Sequence, residues 1–77
     1  HLDYNKIEFI PDDIGKLINL NRLDLSQNRI KKIPKTIKYL TNLKKLHLDN
    51  NKIKIIPIEI GNLLNLKILY LSYNDII

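Results

Sequence analysis

The sequence predicts an α/β solenoid, a coil of stacked repeats in which each repeat supplies one strand and one short return path. Three observations lead to this fold class. The first is an asparagine that recurs every 23 residues, at Asn5, Asn28, Asn51 and Asn74. The second is that columns of leucine, isoleucine and proline keep the same period, and such a recurrence is typical of repeat architectures. The third is the alternation of inward and outward residues in segments such as Leu23-Asp24-Leu25.

The alternating segment predicts one half-buried strand in each repeat. Its copies are Leu46-His47-Leu48 and Leu69-Tyr70-Leu71. A return path of about 20 residues separates one strand from the next, and a connection of that length joins parallel strands rather than a hairpin. We therefore expect successive strands to lie parallel and adjacent in a single sheet, with one strand per repeat.

The return path opens with a proline in each repeat, at Pro11, Pro34 and Pro57. Proline has a fixed φ and no N–H group to donate, so it suits the start of a turn or helix. After Pro34, Ile37 and Leu40 continue a helix-like stripe, but the segment of about ten residues allows only one or two turns of 3₁₀ or α structure. A narrow helical side opposite a strand side predicts a curved solenoid, with short helical turns on the convex side and the sheet on the concave side.

The recurring asparagine has a predicted structural role. Where the chain turns inward after the strand, backbone N–H and C=O groups lack sheet partners in a place that water reaches poorly. An amide side chain both donates and accepts hydrogen bonds, so each asparagine is expected to bind the turn of its own repeat and that of its neighbour. The predicted structural ladder consists of Asn5, Asn28, Asn51 and Asn74.

The composition limits domain organisation and location. A chain of 77 residues forms one domain or part of one, and its repeats must share a core because no single unit folds alone. The absence of cysteine excludes disulfides and thiolate metal sites and favours a reducing, cytoplasmic compartment. The sequence has neither a signal-peptide pattern nor an apolar run of about 18 residues, so we expect no membrane span.

The repeat pattern resembles a known family. Residues 20–40 read Leu20-x-x-Leu23-x-Leu25-x-x-Asn28-x-Ile30-x-x-Ile33-Pro34-x-x-Ile37-x-x-Leu40, which is similar to a leucine-rich repeat of the 23-residue type. Repeats of this type occur in intracellular Ras-pathway scaffold proteins and in many bacterial leucine-rich-repeat proteins. The resemblance implies a right-handed horseshoe segment with parallel strands on the concave side. It also implies protein binding rather than catalysis.

The array is expected to occupy residues 1–77, which is about 3.3 repeats. His1 and Ile77 both fall within a repeat, so we expect an uncapped fragment of a longer array. Exposed leucine and isoleucine columns at its two ends would favour end-to-end self-association, because repeat arrays need capping units for solubility. One alternative function is therefore purely structural, as spacer repeats of a larger protein.

Partners of this family usually contact the outward strand positions, so these positions form the predicted protein-binding site. They carry both signs of charge and include tyrosine and arginine, the residue types that anchor protein interfaces. The alternative interpretation is that an exposed sheet needs polar residues and some aromatic residues for β propensity. The predicted contact residues are Arg22, Lys45, Asp24, His47, Tyr70, Asp49, Gln27, Asn50 and Tyr73.

Two other chemistries fit the same surface by residue type alone. His47 and Asp49 share a strand face beside Asp24 and could together hold zinc, but an ordinary polar surface with a weak ion pair gives the same pattern. Ser26, Asp24 and His47 have the residue types of a catalytic triad, yet an open sheet offers neither a pocket nor oxyanion donors. We therefore expect no metal, no cofactor and no enzyme activity.

Basic residues dominate the middle of the chain and indicate another alternative function. From residue 29 to residue 54 they are accompanied by a single acid, Asp49, and such a segment attracts nucleic acid, acidic protein or anionic lipid. The lysines project from several surfaces, and the interleaved aromatic residues of nucleic-acid motifs are missing, so nucleic acid is not the expected partner. The basic residues of this segment are Arg29, Lys31, Lys32, Lys35, Lys38, Lys44, Lys45, Lys52 and Lys54.

Overall fold

The computed structural model of the protein describes residues 6–76. Short strands alternate with 3₁₀ helices along this part of the chain. The strands are β1 (Arg22–Asp24), β2 (Lys45–His47) and β3 (Ile68–Tyr70). The first, second and third 3₁₀ helices span Asp12–Lys16, Lys35–Tyr39 and Ile58–Asn62. Equivalent elements are therefore one 23-residue period apart.

The strands form one parallel sheet in the order β1-β2-β3. Its register pairs residues that are one period apart, so Asp24 lies beside His47 and His47 lies beside Tyr70. Because side chains alternate between the two faces of a strand, Leu23 and Leu46 enter the core while their neighbours point away from it. The predicted parallel sheet with one strand per repeat is confirmed.

A proline precedes each 3₁₀ helix and sets its first turn. Pro34 is extended, with φ −69° and ψ 152°, and its carbonyl accepts a hydrogen bond from Ile37 N–H at 3.1 Å. Pro11 and Pro57 accept the equivalent bonds in their own repeats. Each of these helices is a 3₁₀ helix of five residues, and no α-helix occurs in the return paths of residues 6–76. The predicted solenoid, with a parallel sheet on one side and short helical turns on the other, is confirmed.

The hydrophobic core lies between the sheet and the 3₁₀ helices. Its largest fully buried side chains are Ile30, Ile37, Leu40, Leu43, Leu46, Leu48 and Ile53. Each of them stabilises the fold by about 1.5 to 3 kcal/mol through removal from water. Copies nearer the ends of the array, such as Ile14 and Leu69, are only partly buried. The core is therefore tightest where a repeat has a neighbour on both sides.

The turn after each strand adopts a conformation that the sequence does not reveal. Gln27, Asn50 and Tyr73 occupy the same repeat position, and their φ angles are 58°, 58° and 59°. This left-handed region costs about 1 to 2 kcal/mol for most residues other than glycine, although asparagine tolerates it better. Hydrogen bonds between repeats hold the turn, because Gln27 N–H donates to Asp49 O at 3.0 Å and Asn50 N–H donates to Ser72 O at 2.9 Å. The same turn geometry therefore recurs after β1, β2 and β3.

A second set of asparagines joins the repeats after the 3₁₀ helices. The Asn42 side-chain N–H donates to Ile18 O at 3.0 Å, and the Asn65 side-chain N–H donates to Thr41 O at 2.8 Å. Both bonds are exposed, so each contributes no more than about 0.5 to 1.5 kcal/mol. The sequence shows this asparagine column, but its spacing alone does not identify the acceptor.

Candidate functional site

The sheet face is the outward surface of the three strands and of the turns that follow them. The predicted contact residues all lie on these strands and turns. Arg22 and Lys45 form one row with Ile68, and the next outward row joins Asp24, His47 and Tyr70. Neighbouring strands are about 4.8 Å apart, so side chains of one row are within contact distance of each other. The register thus brings together residues that are far apart in the sequence.

Four of the predicted residues contact one another across the sheet. Arg22 Nη2 donates to Asp24 Oδ2 at 3.2 Å, and Arg22 Nε donates to His47 Nε2 at 3.5 Å. The His47 ring stacks on the Tyr70 ring, with centroids 4.6 Å apart and an angle of 21° between the planes. These contacts connect a cation, an anion and two aromatic rings over three strands. We call the four residues the cross-strand cluster.

The Asp24 carboxylate is the most constrained member of the cross-strand cluster. Its Oδ1 accepts the Ser26 hydroxyl at 2.7 Å and the Ser26 N–H at 3.2 Å. Burial by itself raises the pKa of Asp24, but the two Ser26 hydrogen bonds and the charges of His47 and Arg22 outweigh it, so the pKa lies below its ordinary value of 3.8. Asp24 is therefore a fixed negative charge at neutral pH. Asp and Ser two residues apart are typical of a local side-chain-to-backbone turn, so the sequence pattern is consistent with this contact.

The remaining predicted residues are placed less tightly. Asn50 Nδ2 donates to Asp49 Oδ2 at 3.2 Å. Gln27 and Tyr73 share the left-handed turn position, and Tyr73 is 82% exposed. Lys45 lies in register with Arg22 and is exposed, with no ion pair to any residue in the range 6–76. These residues border the cross-strand cluster without joining its contacts.

The geometry of the sheet face does not resemble a metal or catalytic centre. Among residues 6–76 there is no group of three or more His, Cys, Asp or Glu side chains that could hold a metal ion. The Ser26 hydroxyl is buried and donates to Asp24, whereas a serine nucleophile needs a hydrogen bond to a histidine base.

Among residues 6–76, no helix is long and apolar enough to cross a membrane.

Asn51 connects two neighbouring repeats from inside the turn. Its Oδ1 accepts Ile30 N–H at 3.0 Å, and its Nδ2 donates to Leu25 O at 2.9 Å and to Leu48 O at 3.0 Å. Ile30 and Leu25 belong to the repeat of β1, while Leu48 follows β2. One buried amide thus satisfies backbone groups of both repeats, and these groups would otherwise be buried without partners.

The other ladder positions are arranged in the same way. Asn28 Oδ1 accepts Ile7 N–H at 3.3 Å, and its Nδ2 donates to Leu25 O at 3.0 Å. Asn74 Oδ1 accepts Ile53 N–H at 3.1 Å, in a more exposed setting. The predicted ladder member Asn5 lies outside the described residues. Side-chain amides therefore join successive turns on the inner side of residues 28–74.

A comparison with models of known protein families identifies the family of this chain. The model of the leucine-rich repeat region matches residues 1–76, which is nearly the whole chain. The chain belongs to the leucine-rich-repeat family. Folds of this family are typically interaction modules and not enzymes. The family resemblance inferred from the sequence is thereby confirmed.

Solved leucine-rich-repeat structures superimpose on the chain along almost its full length. A leucine-rich-repeat protein of Leptospira interrogans is 42% identical, with a TM-score of 0.93, and the match covers 96% of this chain and 19% of that one. An internalin of Listeria monocytogenes is 33% identical, with a TM-score of 0.84, over 97% of this chain and 22% of that one. A chain of the BIR3–SERK2 complex of Arabidopsis thaliana is 34% identical, with a TM-score of 0.80, over 95% and 42% respectively.

The leucine-rich-repeat chain is much shorter than these proteins. It spans about a fifth of the Leptospira and Listeria chains and less than half of the Arabidopsis chain. No curated protein matches it significantly.

Proposed function

We propose that the chain is a non-catalytic module that binds a protein partner through the sheet face, on the side that the sequence predicts to be concave. The observation that carries this proposal is the cross-strand cluster, whose side chains already contact one another over three strands. Side chains that are held in place before binding lose less conformational entropy when a partner arrives. The cluster is therefore a preorganised recognition surface.

The exposed residues of the sheet face suit a protein partner. Tyr70 is 44% exposed and Tyr73 is 82% exposed. Tyrosine and arginine dominate the energetics of protein interfaces more often than most residue types, because they combine apolar area with a polar group. The Arg22 cation lies beside the anionic Asp24, and exposed Lys45 lies in register with Arg22, so the surface favours a partner that carries both signs of charge.

A relative supports protein binding as the class of function. One of the matching structures is a complex between two proteins, BIR3 and SERK2. Its matching chain shares the leucine-rich-repeat fold with this chain at a TM-score of 0.80. Association with another protein is thus the class of function that we propose for this chain.

Site-specific photo-cross-linking tests which side of the chain meets the partner. A photoreactive phenylalanine derivative is placed at Tyr70 in one variant and at Tyr39 in another, and both are expressed in the native host. Tyr39 is the matched control, because it is a tyrosine of comparable exposure at 53% but lies on the second 3₁₀ helix, away from the sheet. We expect a discrete cross-linked protein from the Tyr70 position and none from Tyr39.

Binding measurements with the purified cross-linked protein then test the side chains themselves. The double variant Tyr70→Ala and Tyr73→Ala is expected to weaken the Kd by at least about tenfold, the effect of one lost interface anchor. Tyr39→Ala is expected to change it by less than about twofold. Unchanged affinity in the double variant, with unchanged melting temperature, would contradict the proposal and favour the spacer alternative.

A further inference from the structure

A groove lies on the side of the solenoid that leads from the strands to the 3₁₀ helices. It has a volume of about 650 Å³ and is bordered by Lys31 and Lys32 of the repeat of β1 and by Lys52 and Lys54 of the repeat of β2. We propose that this basic groove binds an acidic peptide segment that carries an aliphatic or aromatic side chain between its carboxylates. The groove is separate from the sheet face and from the residues of the cross-strand cluster.

The groove forms where a backbone contact between repeats is interrupted. One repeat earlier, Phe9 and Lys32 form an isolated parallel bridge, and Lys31 N–H donates to Glu8 O at 3.1 Å. The equivalent partner of Lys32 one repeat later is Ile55, and within residues 6–76 no such bridge joins them. Lys52 N–H still donates to Ile30 O at 2.9 Å, so the bridge is lost only beyond this bond, and the groove lies beside the unbridged segments.

Of the four groove lysines, only Lys31 forms an ion pair with another of the residues 6–76. Lys31 Nζ lies 3.5 Å from Glu8 Oε1, the residue at the same repeat position one period earlier. Lys54 occupies that position one period later, but its neighbour is Lys31 and not a carboxylate. In residues 6–76 neither Lys52 nor Lys54 forms an ion pair. A carboxylate from a ligand would reproduce at Lys54 the pairing that Glu8 provides at Lys31.

The apolar residues of the groove favour a peptide over other anionic ligands. Ile55 is 75% exposed, and Ile33 and Pro57 lie beside it in the groove. Within residues 6–76 none of the lining residues is aromatic, so this part of the groove lacks the stacking surface that single-stranded nucleic acids use. Lysines of both repeats border the groove together with apolar side chains, which matches a peptide whose acidic residues flank a short apolar segment. The volume also falls in the usual range for ligand sites, about 300 to 1,000 Å³.

Fluorescence polarisation with a synthetic peptide tests the proposal. The probe is a fluorescein-labelled peptide with a central Leu-Phe pair flanked by glutamates, titrated with the full chain at low ionic strength. The double variant Lys52→Glu and Lys54→Glu is expected to weaken binding by more than about tenfold. Its matched control is Lys44→Glu with Lys67→Glu, which changes the net charge equally at exposed lysines outside the groove and is expected to weaken binding by less than about threefold.

The apolar lining and the ligand class have their own tests. Ile55→Ser is expected to weaken peptide binding by about fivefold, and so is a peptide with Ser-Ser in place of Leu-Phe. Tyr70→Ala with Tyr73→Ala should leave peptide binding unchanged, because these residues lie on the sheet face. Equal losses in both lysine double variants, no peptide binding, or tighter binding to a single-stranded oligonucleotide or to phosphatidylserine vesicles would each overturn the proposal.

Discussion

The regions around β2 and β3 have the same sequence pattern but different surroundings. Leu46 and Leu48 are completely buried, whereas their copies Leu69 and Leu71 are only partly buried. The cause is the number of neighbours, since β2 pairs with strands on both sides and, among residues 6–76, β3 pairs only with β2. The position of a repeat in the stack therefore determines how much the same residue stabilises the fold.

Removing the core leucine of each strand gives the largest expected difference between the two regions. Leu46→Ala leaves a cavity in a fully buried site, and we expect a loss of about 3 to 4 kcal/mol in the free energy of unfolding. Leu69→Ala should cost about 1 to 2 kcal/mol, because water reaches part of that side chain already. Urea denaturation of the two variants measures both values. Equal losses would show that a second neighbouring repeat does not increase the stabilisation that a core leucine provides.

The asparagine ladder extends the comparison to polar groups. Asn51→Leu removes the partners of buried backbone groups in two repeats, and we expect a loss of about 2 to 3 kcal/mol and a melting temperature several degrees lower. Asn74→Leu should cost less than about 1 kcal/mol, since its surroundings are more exposed and water replaces part of the bonding. Thermal denaturation followed by circular dichroism compares them. A melting temperature for Asn51→Leu equal to that of the unmodified chain would refute the ladder.

Two glycines at the same repeat position, Gly15 and Gly61, differ in how closely the next repeat packs against the 3₁₀ helix. A Cβ at Gly15 would lie 2.9 Å from both Cβ and O of Thr36 in the next repeat, whereas a Cβ at Gly61 would meet nothing within 4 Å. Gly15→Ala should therefore destabilise by about 1 to 2 kcal/mol through overpacking. Gly61→Ala should be neutral, or stabilising by up to about 0.5 kcal/mol, through the unfolded state. Calorimetric melting temperatures in the opposite order would contradict this account of the helix contact.

The smallest predicted effect concerns acid sensitivity on the sheet face. Because the pKa of Asp24 is lowered in the folded state, its stabilisation is present above about pH 4 and is lost as the pH falls through the folded-state value. Asp24→Asn should therefore lower the free energy of unfolding by less than about 1 kcal/mol at neutral pH, and the difference should shrink on acidification. Urea denaturation at neutral and acidic pH measures it. A difference that grows as the pH falls would reverse the predicted sign.

The period predicted much of the fold because it fixes register directly. Residues one period apart must lie side by side, so the pairing of Asp24 with His47 and His47 with Tyr70 followed from counting. The prolines likewise predicted where each 3₁₀ helix begins, since proline restricts its own backbone. Regular spacing and the position of proline are therefore sufficient to predict the strand register and the starts of the 3₁₀ helices.

Other features depend on contacts that spacing does not encode. The left-handed turn falls on glutamine and tyrosine as well as asparagine, so residue type gave no signal for it. The strand pattern predicts Ser26 on the outward surface, but it is buried and its hydroxyl donates to Asp24. The interrupted bridge between Lys32 and Ile55 reflects how two particular repeats pack. Charge and repeat position indicated the lysines but not the groove that they line.

Amide hydrogen exchange at equivalent leucines tests most directly whether neighbouring repeats stabilise each other. Leu48 N–H donates to Tyr70 O at 3.0 Å, whereas Leu71 N–H, its copy, has no acceptor within residues 6–76. Exchange followed by NMR should therefore be slower at Leu48 than at Leu71 by at least about a hundredfold. Only the Leu48 amide has to break a hydrogen bond between repeats, through cooperative opening of the sheet, before it exchanges. Equal protection at the two amides would show that a second neighbouring repeat does not stabilise the strand.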